Sequence, residues 1–268
     1  MSYRTALSEV LTSVVGPVAE ATAVQGRFPR GAVTALGRAG LLGLTVSAEF
    51  GGGGRGLPEA ADVVARTARV CPATAAVLQS HYTAVAVVEA YGGPWTRGEI
   101  AAGRHLASLA LAESEGEPEA GGDGATAETQ LLVPRSVATR SGEVVALRAR
   151  KQRVVAAGEA DLYVWSSRPL AAPDGLTLWA VPAHAPDLFV PARPGVTGPR
   201  GSATSSVFAD PVRVPAEAML GADGGGLDIV LRTVLPWLLE LRAAAEIRRP
   251  PTVDLGSVRR PAGSLAVS

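Results

Sequence analysis

Residues 36–54 read Leu-Gly-Arg-Ala-Gly-Leu-Leu-Gly-Leu-Thr-Val-Ser-Ala-Glu-Phe-Gly-Gly-Gly-Gly and form the most informative stretch of the chain. An apolar helical pattern ends there in glycine, and four glycines follow the acidic–aromatic pair Glu49-Phe50. Glycine adopts positive φ and lets two backbones approach closely, so a run of four indicates a tightly specified turn. The stretch therefore predicts a helix that leads into a closely packed glycine turn.

Size and composition allow two domains and exclude several classes of protein. The 268 residues can bury a large core, and the 25 basic and 25 acidic side chains cancel, which argues against a general nucleic-acid binder or a polybasic membrane surface. The single cysteine, Cys71, excludes an internal disulfide and is typical of a reducing compartment. No stretch approaches the ~20 apolar residues of a membrane helix. We expect a cytoplasmic protein without membrane or nucleic-acid partners.

Hydrophobic periodicity predicts a helical domain over residues 1–106. Apolar residues recur at helical spacing within residues 5–20, and further helices are expected at about 31–42, 57–70 and 73–91, with a short one after Thr96. Gly92-Gly93-Pro94 closes the fourth of these helices. The first domain is therefore predicted to be entirely helical.

The pattern changes to short β-rich runs in a second domain over residues 107–216. Glycine and proline separate these runs, which predicts a small sandwich or barrel, and the acidic, glycine-rich residues 113–128 are expected to form an exposed loop. A helix returns in residues 217–247, where Pro236 is expected to kink it, and residues 248–268 are predicted to be an irregular tail. The predicted strands are 107–112, 130–138, 143–149, 152–156, 161–167, 176–181, 187–190 and 204–214.

Several local sequences occur in the order found in the acyl-CoA dehydrogenase family, and the chain resembles that family from residue 1 to about 245. The matching segments are 36–54, Gln79-Ser80-His81-Tyr82, Tyr91-Gly92-Gly93, 103–113, 138–151 with the chain's only lysine, 160–164, Arg200-Gly201-Ser202 and 207–215. The resemblance implies an α+β fold with a helical N-terminal domain, a small β-domain and a C-terminal helical part. Because the chain holds only the first helix of that last part, we interpret it as a truncated, divergent member.

The resemblance also places the residues that would contact FAD in the family, and several of them differ here. The threonine that meets the flavin ring is replaced in Ala112-Glu113-Ser114, although Ser114 could supply a hydroxyl nearby. The aromatic residue and the hydroxyl residue that follow the lysine are replaced by Arg153 and Val155. An arginine can stack on a π face, so Arg153 alone does not exclude flavin. The flavin-equivalent positions, which would line a cavity if no flavin binds, are Leu111, Ala112, Glu113, Ser114, Arg153, Val154 and Val155.

Two residues are candidates for catalysis. Some family members carry a catalytic glutamate directly before an arginine on the first C-terminal helix, and Glu240-Leu241-Arg242 lies in the comparable helix with one residue between them. His81 could face the cavity between the domains, although a half-buried structural histidine is the simpler interpretation. No spacing of acidic residues, histidines or cysteines fits a metal site, so no metal is predicted.

Three functions remain open at this point. In the first, the chain is a repurposed, flavin-independent enzyme of secondary metabolism that performs a cyclisation, isomerisation or elimination on an acyl or polyketide-like substrate. In the second, it is an FAD-dependent acyl-CoA or acyl carrier protein dehydrogenase subunit, completed by a dehydrogenase-like partner chain. In the third, it is a non-catalytic binding or scaffold subunit. We expect no cofactor under the first interpretation, FAD under the second, and a homo-oligomer or heteromer in each.

Overall fold

A computed structural model describes residues 2–113, 134–191 and 198–246. Helices occupy the chain up to Ala101, strands follow from Ala107 to Leu220, and helix returns at Gly226. This arrangement confirms the predicted α+β class and the predicted order of helices, strands and helix. The predicted tail at 248–268 and most of the predicted acidic loop at 113–128 lie outside the described residues.

Within the described residues 2–113, six α-helices precede the first strand. Helix α1 continues through a π-helical turn at Leu11–Val15 into α2, and a short 3-10 turn at Ala48–Phe50 precedes the glycine run. Their bounds are α1 Tyr3–Val10, α2 Gly16–Gln25, α3 Arg30–Arg38, α4 Leu57–Val70, α5 Pro72–Tyr91 and α6 Pro94–Ala101.

The first helical stretch, Tyr3–Gln25, is long and apolar enough to cross a membrane by length and composition, which we did not expect from the sequence. In this fold it packs instead against α3 and α4, and the side chains of Leu7 and Val15 are fully buried. Leu7 and Val15 therefore contribute to the core of the helical domain.

The four glycines of residues 51–54 have two different structural roles. Gly51 has φ of +87° with open space around it, so it is required for its backbone conformation. Gly52 instead lies against the backbone of Val46, where an added Cβ would stand 2.2 Å from the carbonyl oxygen. The run folds the segment after α3 back upon itself, with Arg55 N donating to Leu44 O at 3.0 Å.

The described residues of the β-domain form two four-stranded sheets. The first has the order β1-β4-β5-β8, with β1 parallel to β4 and the other pairs antiparallel; the second is antiparallel in the order β2-β3-β7-β6. The predicted strands 143–149 and 152–156 belong to one strand, β3, whose pairing with β7 shifts register at two places. The strand bounds are β1 Ala107–Ala110, β2 Val137–Ser141, β3 Val144–Val154, β4 Leu162–Ser167, β5 Thr177–Pro182, β6 Leu188–Phe189, β7 Ser205–Pro215 and β8 Met219–Leu220.

The C-terminal helix is divided by a π-helical turn. Helix α7, Gly226–Ile229, passes through the π turn Val230–Val234 into α8, Leu235–Glu246. The kink expected at Pro236 is thus found as a π-helical turn that ends two residues before the proline. Proline has no N–H, so one backbone carbonyl in the preceding turn lacks its usual helical partner. Helix α8 packs on α4 and α5, so the C-terminal helix closes over the first domain.

Helix α5 joins the two domains. It packs against β1 and β4 of the first sheet, against α4 and α6 of the helical domain, and against α8. Its buried residues contribute to both hydrophobic clusters of the molecule, Tyr82 to one and Val85 to the other. A cavity lies on one side of this central helix, between α4, α5, β1, β3 and the C-terminal helix.

Candidate functional site

Four consecutive residues of α5 connect that helix to three other parts of the chain. Gln79 Nε2 donates to Leu241 O of α8 at 3.2 Å, and Ser80 Oγ accepts from Leu109 N of β1 at 3.0 Å. His81 bonds to Leu42 O, and Tyr82 donates to Leu41 O at 2.6 Å. Because successive helical side chains are about 100° apart, four in sequence reach every side of the helix. This run fixes the helix in its place beside the cavity.

His81 is buried and contacts the backbone of two other segments of the chain. It is fully buried, its Nε2 lies 2.9 Å from Leu42 O, and its Nδ1 accepts from Ala107 N at 3.1 Å. Burial lowers its pKa to about 4, which the two backbone contacts only partly offset, so the ring is neutral at physiological pH. Both ring nitrogens are engaged by backbone groups, and His81 does not line the cavity.

The cavity has a volume of about 640 Å³ and mostly apolar walls. This size is typical of sites for small organic ligands, which range over roughly 300–1,000 Å³. The helical domain contributes one wall, the ends of β1 and β3 another, and the C-terminal helix the third. The lining side chains include Ala68, Ala75, Gln79, Leu109, Leu111, Ala112, Gln152, Arg153, Val155, Thr204, Val230, Val234, Leu235, Leu238, Arg242 and Glu246.

Four of the flavin-equivalent positions meet in this cavity: Leu111, Ala112, Arg153 and Val155. The structure brings them together from two segments about 40 residues apart, because Gln152 N donates to Ala112 O at 2.8 Å. Val154 is fully buried beside them in the core, and Ser114 lies outside the described residues.

Glu113 is held by a buried ion pair instead of lining the cavity. Its carboxylate accepts from Lys151 Nζ, Ser136 Oγ and Arg135 N, and Lys151 Nζ also donates to Ser166 O at 2.7 Å and Ser166 Oγ at 2.8 Å. Burial lowers the pKa of Lys151 to about 8 despite the neighbouring carboxylate. Burial opposes ionisation of Glu113 too, but the Lys151 charge and the hydrogen bonds hold its pKa below the usual value. The pair is therefore charged at neutral pH and ties the end of β1 to β3 and β4.

Glu240 is exposed on α8 and is not part of the cavity wall. The carboxylate that does face the cavity, among the residues with described positions, is Glu246, and it accepts from Arg242 Nε at 2.9 Å. Neither Arg242 nor Glu246 was predicted as a site residue from the sequence. Their signal is the helical spacing of positions 235, 238, 242, 245 and 246, which share one face of α8.

The side chains at the flavin-equivalent positions do not supply what the resemblance implies for a bound flavin ring. Ala112 and Val155 carry no hydrogen-bond donor, and position 153 carries a cation in place of an aromatic ring. Each hydrogen bond lost at the polar edge of a ring costs on the order of 1 kcal/mol. Within the described ranges, no group of three or more His, Cys, Asp or Glu side chains could hold a metal ion.

Comparison with known proteins relates this geometry to one family. The family description "Acyl-CoA dehydrogenase, N-terminal domain" matches residues 2–101. A cyclohex-1-ene-1-carbonyl-CoA dehydrogenase of Geobacter metallireducens is 27% identical over 232 residues, which are 84% of this chain and 58% of that protein. An acyl-CoA dehydrogenase of Bacillus subtilis is 25% identical over 226 residues, 81% of this chain and 56% of its own length.

A solved structure superposes on most of this chain. FkbI, described as acting in biosynthesis of the methoxymalonyl extender unit of the Fk520 polyketide, superposes with a TM-score of 0.74 at 26% identity over 88% of this chain and 64% of its own. The chain thus spans less than two thirds of the length of these three proteins. Residues 2–101 thus form an acyl-CoA dehydrogenase N-terminal domain, and the rest of the matched chain is similar in sequence and fold to acyl-CoA dehydrogenases.

Proposed function

We propose that the chain binds an acyl or polyketide-like thioester in the cavity and acts on it without a flavin, in a biosynthetic cyclisation, isomerisation or elimination. The observation that carries this proposal is the set of side chains at the cavity-facing flavin-equivalent positions, Ala112, Arg153 and Val155. They preserve a ligand-sized space while lacking the hydroxyl and aromatic groups expected around a flavin ring.

The shape and chemistry of the cavity support an acyl ligand. Its walls are largely Ala, Val and Leu side chains, which favour burial of a hydrocarbon chain at roughly 25 cal/mol per Å² of apolar surface. A confined apolar space can also hold a flexible chain in a folded conformer, which lowers the entropic part of a cyclisation barrier. In this proposal, the cavity contributes mainly by positioning its ligand.

The relatives support the substrate class. The two curated relatives are named for acyl-CoA compounds, and FkbI is described as acting in biosynthesis of a polyketide extender unit. The acyl thioester of our proposal follows the two dehydrogenase names, and its biosynthetic role follows the description of FkbI. We also propose a cytoplasmic location, which the buried, free Cys71 supports because disulfides are rare in that compartment.

A second candidate is an FAD-dependent dehydrogenase subunit completed by a partner chain. It is favoured by the names of the curated relatives and by the leucines that α8 leaves exposed, such as Leu239 with 57% of its surface accessible. In that case, a partner would cover α8 and contribute the missing contacts to the flavin.

Purification followed by visible spectroscopy and titration with FAD separates the two candidates. We expect the protein to be colourless and to bind no FAD, because the donors at positions 112 and 155 are absent. The matched variant is Ala112→Thr/Arg153→Trp/Val155→Thr, which restores the residue types implied by the family resemblance and is expected to gain FAD affinity. A yellow wild-type protein with tightly held FAD would reject the flavin-independent proposal and favour the second candidate.

Binding of the proposed substrate class is tested separately. Isothermal titration of the wild-type protein with hexanoyl-CoA is expected to give a negative heat-capacity change, since apolar surface becomes buried. Leu109→Glu, which places a charge on the cavity wall, is expected to abolish that binding. Absence of binding to every acyl thioester tested would reject the proposal.

A further inference from the structure

The cavity contains one cation that has no partner among the described residues. Two arginines line the walls, and Arg242 donates to Glu246. The guanidinium of Arg153 makes no hydrogen bond, ion pair or ring contact with any residue that the structure describes. A guanidinium has five N–H donors, so Arg153 offers an unused donor set to a ligand.

The backbone around Arg153 places that side chain at the cavity. Side chains alternate along β3, and Val145, Leu147 and Lys151 are buried on one face. Regular alternation would bury position 153 as well, but a register shift between Lys151 and Val154 puts Val154 there instead. Arg153 is left outside this face and lines the cavity.

This arrangement requires an unfavourable backbone conformation. Arg153 has φ of +52°, and Ala156 and Ala203 at the same corner of the sheet have φ of +54° and +50°. A left-handed conformation is unfavourable for a non-glycine residue, because its Cβ lies too close to the following carbonyl oxygen. Such strain is concentrated at functional sites, where the surrounding structure holds a side chain in a required place.

The other polar side chains of the wall already have partners. Gln79 donates to Leu241 O, Ser80 bonds to Ser108 Oγ at 2.9 Å, and Thr204 bonds to Ser202 Oγ at 2.7 Å. Gln152 is also engaged. Within this largely apolar wall, Arg153 is therefore the cation whose donors are all unused by the residues that the structure describes.

We propose that Arg153 binds an oxyanion of the ligand and that the ligand is an anionic acyl thioester. This inference rests on the proposed function and names its substrate class. Two groups of such a ligand have the required chemistry: a carboxylate at the far end of a dicarboxylic acyl chain, and a phosphate of the thioester carrier. Guanidinium binds both through paired, charge-assisted hydrogen bonds.

Affinities of three probes test the proposal: glutaryl-CoA, hexanoyl-CoA and the glutaryl thioester of N-acetylcysteamine, which has no phosphate. Each is titrated calorimetrically into the wild type, Arg153→Met and the control Arg148→Met. Arg148 lies on the same strand, is exposed and pairs with Asp210, so its loss removes the same charge away from the cavity. Methionine at 153 retains the left-handed strain, and thermal melting checks that both variants fold.

If Arg153 binds the acyl carboxylate, Arg153→Met weakens binding of both glutaryl probes about tenfold or more and leaves hexanoyl-CoA unchanged. If it binds a carrier phosphate, the variant weakens both CoA probes equally and leaves the N-acetylcysteamine thioester unchanged. If the wild type and Arg153→Met bind all three probes with equal affinity, the role of Arg153 is rejected while the proposed function stands. Failure of the wild type to bind any of them would reject the proposed function, and the inference with it.

Discussion

At the scale of single residues, His81 shows how a chemically versatile side chain can serve structure. Its two ring nitrogens contact the backbone of Leu42 and Ala107, and thereby connect the segment after α3 to the first strand. A sequence pattern shows the histidine but not these partners, which are 39 and 26 residues away. The buried environment then keeps the ring neutral.

This environment predicts an acid-sensitive fold. The pKa of His81 is about 4 in the folded state, against an ordinary value of 6.5. The stability that it contributes is fully present above pH 6.5 and is lost as the pH falls towards 4, because only the unfolded chain takes up a proton in that range. The loss is on the order of 3 kcal/mol.

Denaturant unfolding between pH 7 and pH 4 measures this effect. His81→Gln is expected to be less stable at pH 7 but to have a flatter dependence on pH, whereas His184→Gln, at an exposed position, is expected to follow the wild type. Parallel curves for the wild type and His81→Gln would contradict the assignment.

At the scale of elements, the Glu113–Lys151 ion pair holds the edge of the candidate site. It connects the end of β1 with β3, β4 and the segment that leads into β2. The side chain of Lys151 is completely buried and that of Glu113 is 7% exposed, so each depends on the other for its charge. The positions of Leu111, Ala112 and Arg153 in the cavity follow from this connection.

Removing one partner of this pair is expected to destabilise the protein strongly. Lys151→Met leaves a buried carboxylate without its cation and should cost about 3–5 kcal/mol of unfolding free energy. Glu113→Gln/Lys151→Met, which removes both charges, should recover a large part of that loss. Chemical denaturation of the single and double variants forms a double-mutant cycle. Additive losses would show that the two side chains are not coupled.

At the scale of the whole molecule, the C-terminal helix leaves an apolar stripe uncovered in the described structure. Leu231, Leu235 and Leu239 recur every four residues along it and are 52%, 40% and 57% exposed. Large contiguous apolar surfaces are rarely left in contact with water. The stripe lies beside the cavity, since its residue Leu235 also lines the cavity wall.

We expect the protein to associate through this stripe. Light scattering at micromolar concentration should give a dimer or a larger assembly, and Leu231→Glu/Leu239→Glu should shift it towards the monomer. Val24→Glu replaces an isolated exposed apolar residue on α2 and should leave the mass unchanged. A monomeric wild-type protein would contradict this expectation.

The sequence by itself determined the α+β class, the resemblance to acyl-CoA dehydrogenases and the order of elements, because these depend on local periodicity, on turn residues and on short motifs such as the glycine run at 51–54. It also identified the segments around Ala112 and Arg153 that meet in the cavity. Only the tertiary structure decided which side chains face the cavity. The bulge after Lys151 directs Arg153 into the cavity, whereas His81 is buried away from it. The orientation of α8 places Arg242 and Glu246, and not Glu240, in the cavity wall. These outcomes depend on contacts between residues far apart in the chain, which local patterns do not specify.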